Sequence, residues 1–380
     1  MSERAAWIAA DAAGIAARAE RELEALVGVS TPSGDVAGAE EAAAIVTALI
    51  PTEARVERPP CSSPDHAPDL LARLVGSGRR RLVLLGHLDT VVSHAEHRPL
   101  ERDGDRLVGS GTIDMKGGVV LALGVMRALA ARPDEFTELA LLLVNDEEWR
   151  THEFAHAQRF AGFDACLCFE GGELGADGAD GVVVRRKAAG TLRVSSTGRA
   201  AHSGSAPDRG RNALLALSDA AQRIAAMHDP AGPDRLTAVP TILHSGDAFN
   251  VVPPAGELYC DLRADRLEAF DPVLAALPAE RDGASLEVEF VRRWPGMDTR
   301  GPTAPLLASA AQMLGRPIVG TERGGASDAS HLATTVPVTV DGLGPLGGRA
   351  HAPEEYLLRE SIRSRAEVAL AVAAAALDRG

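Results

Sequence analysis

Five polar clusters along the 380-residue chain carry residue types that bind metal ions or move protons. GHLDTV at 86–91 sets His87 and Asp89 two positions apart. A metal-bound imidazole needs an acceptor to fix its ring, and a nearby carboxylate supplies one. GSGTIDMKGG at 109–118 places Asp114 among glycines, which let backbone approach whatever that carboxylate binds. The same Asp can also cap the helix that follows. NDEE at 145–148 puts Glu147 and Glu148 side by side after an apolar run. Repulsion and desolvation disfavour such a pair without a cation. If one Glu ligates a metal, the other can act as general base on a water. An exposed acidic turn is the plain alternative. Glu170 follows DACLCF, and His351 lies in GRAHAPEE. Each alone reads as a solvated residue. Together, two imidazoles and several carboxylates suit zinc, and a shared carboxylate suits two ions about 3.5–4 Å apart.

Other motifs compete. HEFAH at 152–156 fits H-E-x-x-H, with His152 and His156 on one helix face and Glu153 as base of a single-zinc endopeptidase. That reading leaves Asp114, Glu147, Glu148 and His351 without a role. GLGPLG at 342–347 fits a dinucleotide fingerprint, but too little chain follows for a second βαβ half, and Pro345 sits inside the turn. Cys166 and Cys168 are a close pair without a second pair, so they read as small buried residues.

The clusters need elements to hold them. Short apolar runs at 82–86, 138–144 and 164–169 read as buried strands, and 4–27, 37–49 and 116–131 as helices. That alternation predicts an α/β fold, a mostly parallel sheet with helices on both faces and ligands at the strand ends. From 188 the pattern changes to β-α-β-β-α-β, with strands at 190–197, 236–244, 256–264 and 285–293 and helices at 211–227 and 266–277. This is a ferredoxin-like α+β order. A helix at 304–314, a strand at 336–340 and a helix at 358–378 follow. The expected division is a discontinuous catalytic domain, 1–187 and 298–380, split by an inserted domain, 188–297.

Composition narrows the function classes. Net charge is −14, from 39 basic and 53 acidic residues, which disfavours nucleic acid and anionic membranes as partners. Aromatics are 3%, too few for a base-stacking platform, and this suggests that polar and metal contacts select the ligand. Four cysteines, no long apolar run and a charged N-terminal segment lead us to expect reduced thiols and a cytoplasmic location.

Read in order, STPSG (30–34), GHLDTV, GSGTIDMKGG, NDEE, GRAAHSGSAPDRGRNA (198–213), FNVVP (249–253), GGASDASHLA (324–333) and DGLGPLGGRAHAPEE (341–355) span nearly the whole chain. The sequence thereby resembles the M20 metallopeptidases, the group of glutamate carboxypeptidase, acetylornithine deacetylase, succinyl-diaminopimelate desuccinylase and aminoacylase, and most resembles the glutamate-carboxypeptidase-like branch. The resemblance implies two zinc ions (cobalt or manganese as substitutes), with His87 and Glu170 on one, Glu148 and His351 on the other, and Asp114 bridging. Asp89 would orient His87, and Glu147 would be general base and acid. His202 would polarise the substrate carbonyl, reaching in from a partner subunit. Asn250 and Arg263 would bind a substrate carboxylate. The implied reaction is hydrolysis of an amide in a peptide or N-acyl amino acid by a homodimer joined through the inserted domain. The bond after Asp114 is often cis in such proteins. Where relatives carry Gly-Ser after the paired Glu, this chain has Trp149-Arg150-Thr151, and Gly171 replaces a common Pro. A non-catalytic binding protein on the same fold is the alternative from another class, but such a protein would be expected to lack a ligand or the base.

Overall fold

A computed structural model describes residues 3–378. Helix α1 (Glu3–Val27) buries Ile8, Ala12, Ile15, Ala19, Leu23 and Leu26, a spacing of three and four that makes one apolar stripe. Helix α2 (Val36–Leu49) starts at Asp35, whose side chain accepts from Gly38 N at 2.7 Å. Five strands follow: β1 (Arg55–Glu57), β2 (Leu70–Val75), β3 (Arg81–His87), β4 (Glu138–Val144) and β5 (Ala165–Cys168). Helix α3 (Gly117–Ala130) lies between β3 and β4. With the two-residue strand Thr339–Val340 they form one sheet, ordered β1-β2-β4-β3-β5 and then 339–340. The pairings β3/β4, β3/β5 and β5 with 339–340 are parallel. The pairings β1/β2 and β2/β4 are antiparallel, so one edge of the sheet runs against the rest. The apolar-run reading did not find β1 or β2.

Alternation along these strands fills both faces. Leu82, Leu84, Leu139, Leu141, Leu143 and Leu167 join the core that α1 and α3 share. Val83, Leu85, Ala140, Leu142, Cys166 and Cys168 have the opposite parity and are also buried. A sheet covered on both sides must read as continuous apolar runs, as these do.

The chain divides into two compact units, the second made of Arg186–Met297 with Gly324–Ala326. It holds β6 (Ala188–Thr197), α4 (Ala213–Ala226), β7 (Thr237–Ser245), β8 (Ala255–Ala264), α5 (Asp271–Ala275) and β9 (Ala284–Trp294). Its antiparallel sheet runs β7-β8-β6-β9, with Glu280–Arg281 on the far edge. Leu258, Cys260, Leu262 and Ala264 alternate inward along β8 to meet Ala216, Leu217, Ala220 and Ile224 of α4. The helix expected over 266–277 is shorter. Leu267–Phe270 is a 3-10 turn, and the α-helix starts at Asp271, where Pro272 fits a first turn that needs no N–H.

The first unit resumes with α6 (Arg300–Leu314), the short α7 (Asp328–Leu332) and α8 (Ser361–Leu377). Helix α8 is buried on nearly every side from Val368 to Leu377, as expected of a helix that is apolar all round. A small sheet, ordered 347–348, 356–358, 106–108 and 101–103, brings the loop carrying His351 to the segment carrying Asp114. The whole is a mixed α/β fold. Among the described residues no helix is long and apolar enough to cross a membrane.

Candidate metal centre

Three strands of the main sheet deliver side chains to one end. His87 is the last residue of β3, Glu147 and Glu148 come three and four residues after β4, and Glu170 two after β5. The carboxyl ends of parallel strands are where side chains and loops leave a sheet together. Two glycines let backbone close around Glu170. A Cβ on Gly118 would lie 1.8 Å from Phe169 O, and one on Gly344 would lie 2.6 Å from Glu170 O.

Asp114 is the hub. Its Oδ1 lies 3.1 Å from His87 Nε2, and its Oδ2 lies 3.0 Å from His351 Nε2. His351 Nε2 is also 3.3 Å from Glu148 Oε2, and His87 Nε2 is 3.7 Å from Glu170 Oε1. Donor atoms of His87, Asp114 and Glu148 lie within 4.8 Å of one another, a group able to hold a metal ion. The Asp114–Met115 peptide bond is cis. His351 sits at φ 66°, left-handed backbone that costs most residues energy and marks a held position.

Hydrogen bonds orient the set. His87 Nδ1 donates to the Asp89 carbonyl at 3.0 Å, which leaves Nε2 free to face Asp114. The Asp89 carboxylate instead accepts from Glu147 N at 3.1 Å and Glu148 N at 3.0 Å. It therefore pins the paired glutamates as well as flanking the imidazole.

The charges are out of balance without a cation. Burial pushes the Glu147 carboxyl well up; His87 opposes this, while Glu170, Asp328 and Glu148 add to it. Burial also raises Glu148, against its bond from His351. Its Oε1 is buried and has no hydrogen-bond partner among the described residues. Burial would raise Asp114 too, but the two imidazoles hold it well below the usual carboxylate range. Burial would lower His87, but Asp114, Asp89 and Glu170 hold it well above its ordinary value. Bonds to Asp114 and Glu148 push His351 up to about 10. A divalent cation among these donors would supply the positive charge that the buried carboxylates call for. An orphaned carboxylate oxygen, two imidazoles and crowded carboxylates fit zinc chemistry.

The competing motifs have other uses. Residues 152–156 are not helical, so His152 and His156 share no helix face. His156 is buried, and its Nε2 lies 2.7 Å from Asp69 Oδ2, while His152 and Glu153 are exposed. The glycines at 342 and 344 offer their carbonyls to buried Arg365, at 2.6 and 3.1 Å. Cys166 and Cys168 are free buried thiols.

The second unit holds the remaining candidates. His202 Nδ1 accepts from Gly204 N and Ser205 N, both at 3.1 Å, so its proton belongs on Nε2. Asn250 is next to it, its carbonyl accepting from Ser203 N at 3.0 Å. Arg263 makes a paired contact with Asp261 two residues away on β8, at 3.0 Å.

Sequence reasoning missed two supports. Glu355 is buried and accepts from Gly111 N, Ile113 N and Asp114 N at 3.0, 2.8 and 2.9 Å. Its place four residues after His351 was the available signal. Arg150 is buried between Asp146, at 2.9 Å, and Asp328, at 2.5 Å. No local pattern marks that triad, because Asp328 is distant in sequence.

An α/β sheet presenting a mixed carboxylate and imidazole cluster at its strand ends defines a metal-binding hydrolase class. Residues 83–375 match the model of peptidase family M20/M25/M40, and the chain belongs to that metallopeptidase family. It is 26% identical to carboxypeptidase G2 from Pseudomonas sp. strain RS-16, covering 89% of this chain and 84% of that protein. It is 28% identical to acetylornithine deacetylase from Aliivibrio fischeri, covering 76% and 79%. Its fold is similar to that of an aminopeptidase from Bacillus cereus, with a TM-score of 0.76, 20% identity and coverage of 95% and 98%.

Proposed function

We propose that this protein is a dizinc hydrolase that cleaves an amide bond in a small peptide or N-acyl amino acid with a free carboxylate. One observation carries the reading: the Asp114 carboxylate faces His87 with one oxygen and His351 with the other. His87 and Glu170 would hold one ion, Glu148 and His351 the second, with Asp114 shared. Cobalt or manganese could replace zinc at such donors. The ions, when bound, supply the positive charge that acidifies a water and polarises a carbonyl. Glu147, held through its backbone by Asp89, takes a proton from the attacking water as the water oxygen bonds to the carbonyl carbon, and passes that proton to the amine as the C–N bond breaks. His202, with its proton on Nε2, donates to the carbonyl oxygen as negative charge develops there. Arg263 exchanges Asp261 for the substrate carboxylate, beside Asn250.

The division into a catalytic part, 1–187 and 298–380, and an inserted part, 188–297, belongs to this reading. So do a mostly parallel catalytic sheet, a homodimer joined through the inserted part with His202 reaching the partner's site, and a cytoplasmic location. The similarity to carboxypeptidase G2 and acetylornithine deacetylase supports both peptides and N-acyl amino acids as substrates. The test is a screen of N-acyl amino acids and dipeptides, with free and blocked C-termini, on protein loaded with zinc, cobalt or manganese. Hydrolysis that requires the free carboxylate supports the reading. Equal rates on blocked substrates contradict the role of Arg263. Two metal ions per chain are expected, and one would overturn the paired site.

A further inference from the structure

We propose that Trp149 is a specificity residue that contacts the substrate and selects an aromatic or bulky apolar group beside the scissile amide. The proposal rests on the reading of Glu147 and Glu148 as part of the reaction centre. Nearly every residue from 145 to 151 is tied inward. Asn145 N donates to Asp69 Oδ1 at 2.8 Å. Asp146 accepts from Ser63 N at 2.9 Å and Ser63 Oγ at 2.8 Å. Glu147 N and Glu148 N donate to Asp89, and Thr151 N donates to Ser63 Oγ at 3.0 Å. Arg150 is held by Asp146 and Asp328, with its guanidinium 4.8 Å from the Phe154 ring centroid. Phe154 in turn stacks on His331 at 5.0 Å.

Trp149 is the exception. It is 63% exposed, between Glu148 at 8% and Arg150 at 6%. Its two neighbours are fixed inward, so its indole is held outward on a stiff segment. Its Cα is one residue, about 3.8 Å, from that of Glu148. A single exposed apolar residue usually needs no explanation. This one differs in place and in kind. The chain has only three tryptophans; Trp294 is buried, and Trp7 is half-buried with Arg132 over its ring at 4.1 Å. The one indole left open stands next to the paired glutamates. A rigid indole gives a large apolar contact at small entropy cost, and substrate binding would cover it. Scarcity of aromatics across the whole chain thus does not argue against an aromatic contact at this one place.

The test uses the zinc-loaded enzyme and the variants Trp149→Ala and Trp149→Phe. Two substrate pairs are compared by kcat/KM: benzoylglycine against acetylglycine, and acetylphenylalanine against acetylalanine. The proposal expects the aromatic-to-small ratio of at least one pair to fall about tenfold in Trp149→Ala, the effect of losing roughly 60 Å² of apolar contact. Trp149→Phe should restore most of it. Unchanged ratios overturn the proposal, and so do unchanged ratios with a changed oligomeric mass, which would assign the indole to a subunit contact. If the unsubstituted enzyme cleaves none of the four, the N-acyl amino acid part of the proposed function fails and binding decides the role of Trp149. Acetylphenylalanine should then quench tryptophan fluorescence in the unsubstituted protein and not in Trp149→Phe. Equal quenching in both overturns the role of Trp149.

Discussion

At the residue scale, the centre is a problem of charge. Asp114, Glu148 and Glu170 converge on two imidazoles, Glu147 is buried beside Glu148 in the chain, and among the described residues one Glu148 oxygen has no hydrogen-bond partner. Carboxylates gathered this way are stable only with positive charge among them. Removing metal with a chelator should abolish hydrolysis and lower Tm, and added zinc should restore both, as expected for an ion that binds the folded state. Loss of activity without change in Tm would argue against tight binding at this cluster. Glu147→Gln keeps shape and removes the proposed base. We expect kcat to fall by about 10²–10⁴-fold with metal content unchanged, measured by steady-state kinetics and elemental analysis. A matching loss in Glu153→Gln alone would move the base to the exposed motif. His202 is set up as a donor by two backbone N–H groups on its Nδ1. His202→Ala should therefore lower kcat, by about 10²-fold, more than it raises KM.

At the element scale, strand ends and one small sheet bring the donors together. β3, β4 and β5 place His87, the glutamate pair and Glu170, while the strand 356–358 on 106–108 brings His351 to Asp114. Buried supports hold both parts. Glu355→Ala would orphan three backbone N–H groups around Asp114. We expect a loss of about 2 kcal/mol or more in chemical denaturation, with weaker metal retention. Arg150→Met leaves Asp146 and Asp328 buried and uncompensated. The cost should be about 3–5 kcal/mol by the same measurement. A change below 1 kcal/mol would show that the pair had found other partners.

At the scale of the whole molecule, the core is aliphatic and sealed. Its sheet is covered on both faces, and all four cysteines are free and buried. Burial raises the Cys166 and Cys168 thiols well above their ordinary value and pushes Cys260 up to about 12. A thiol reagent should label none of the four in the native protein and all four after denaturation, counted by mass spectrometry. Labelling of native Cys61 would mean that the turn after β4 opens, because Cys61 lies beside Asp146.

Much of the fold was legible because a sheet buried on both faces can only be written as apolar runs, such as LVLLG and ELALLLV. The ligand-type residues were legible because each follows such a run or a glycine turn. β1 and β2 were not, since three residues with charged ends and a strand ending in exposed Val75 carry no clear period. The sequence determined which side chains are able to bind a cation and roughly where each leaves its strand. Only the tertiary structure decided that Asp114 faces both imidazoles, that Asp89 holds the glutamate pair by its backbone, and that His156 belongs to Asp69. Those pairings join residues far apart in the chain, and no local spacing encodes which buried charge will meet which partner.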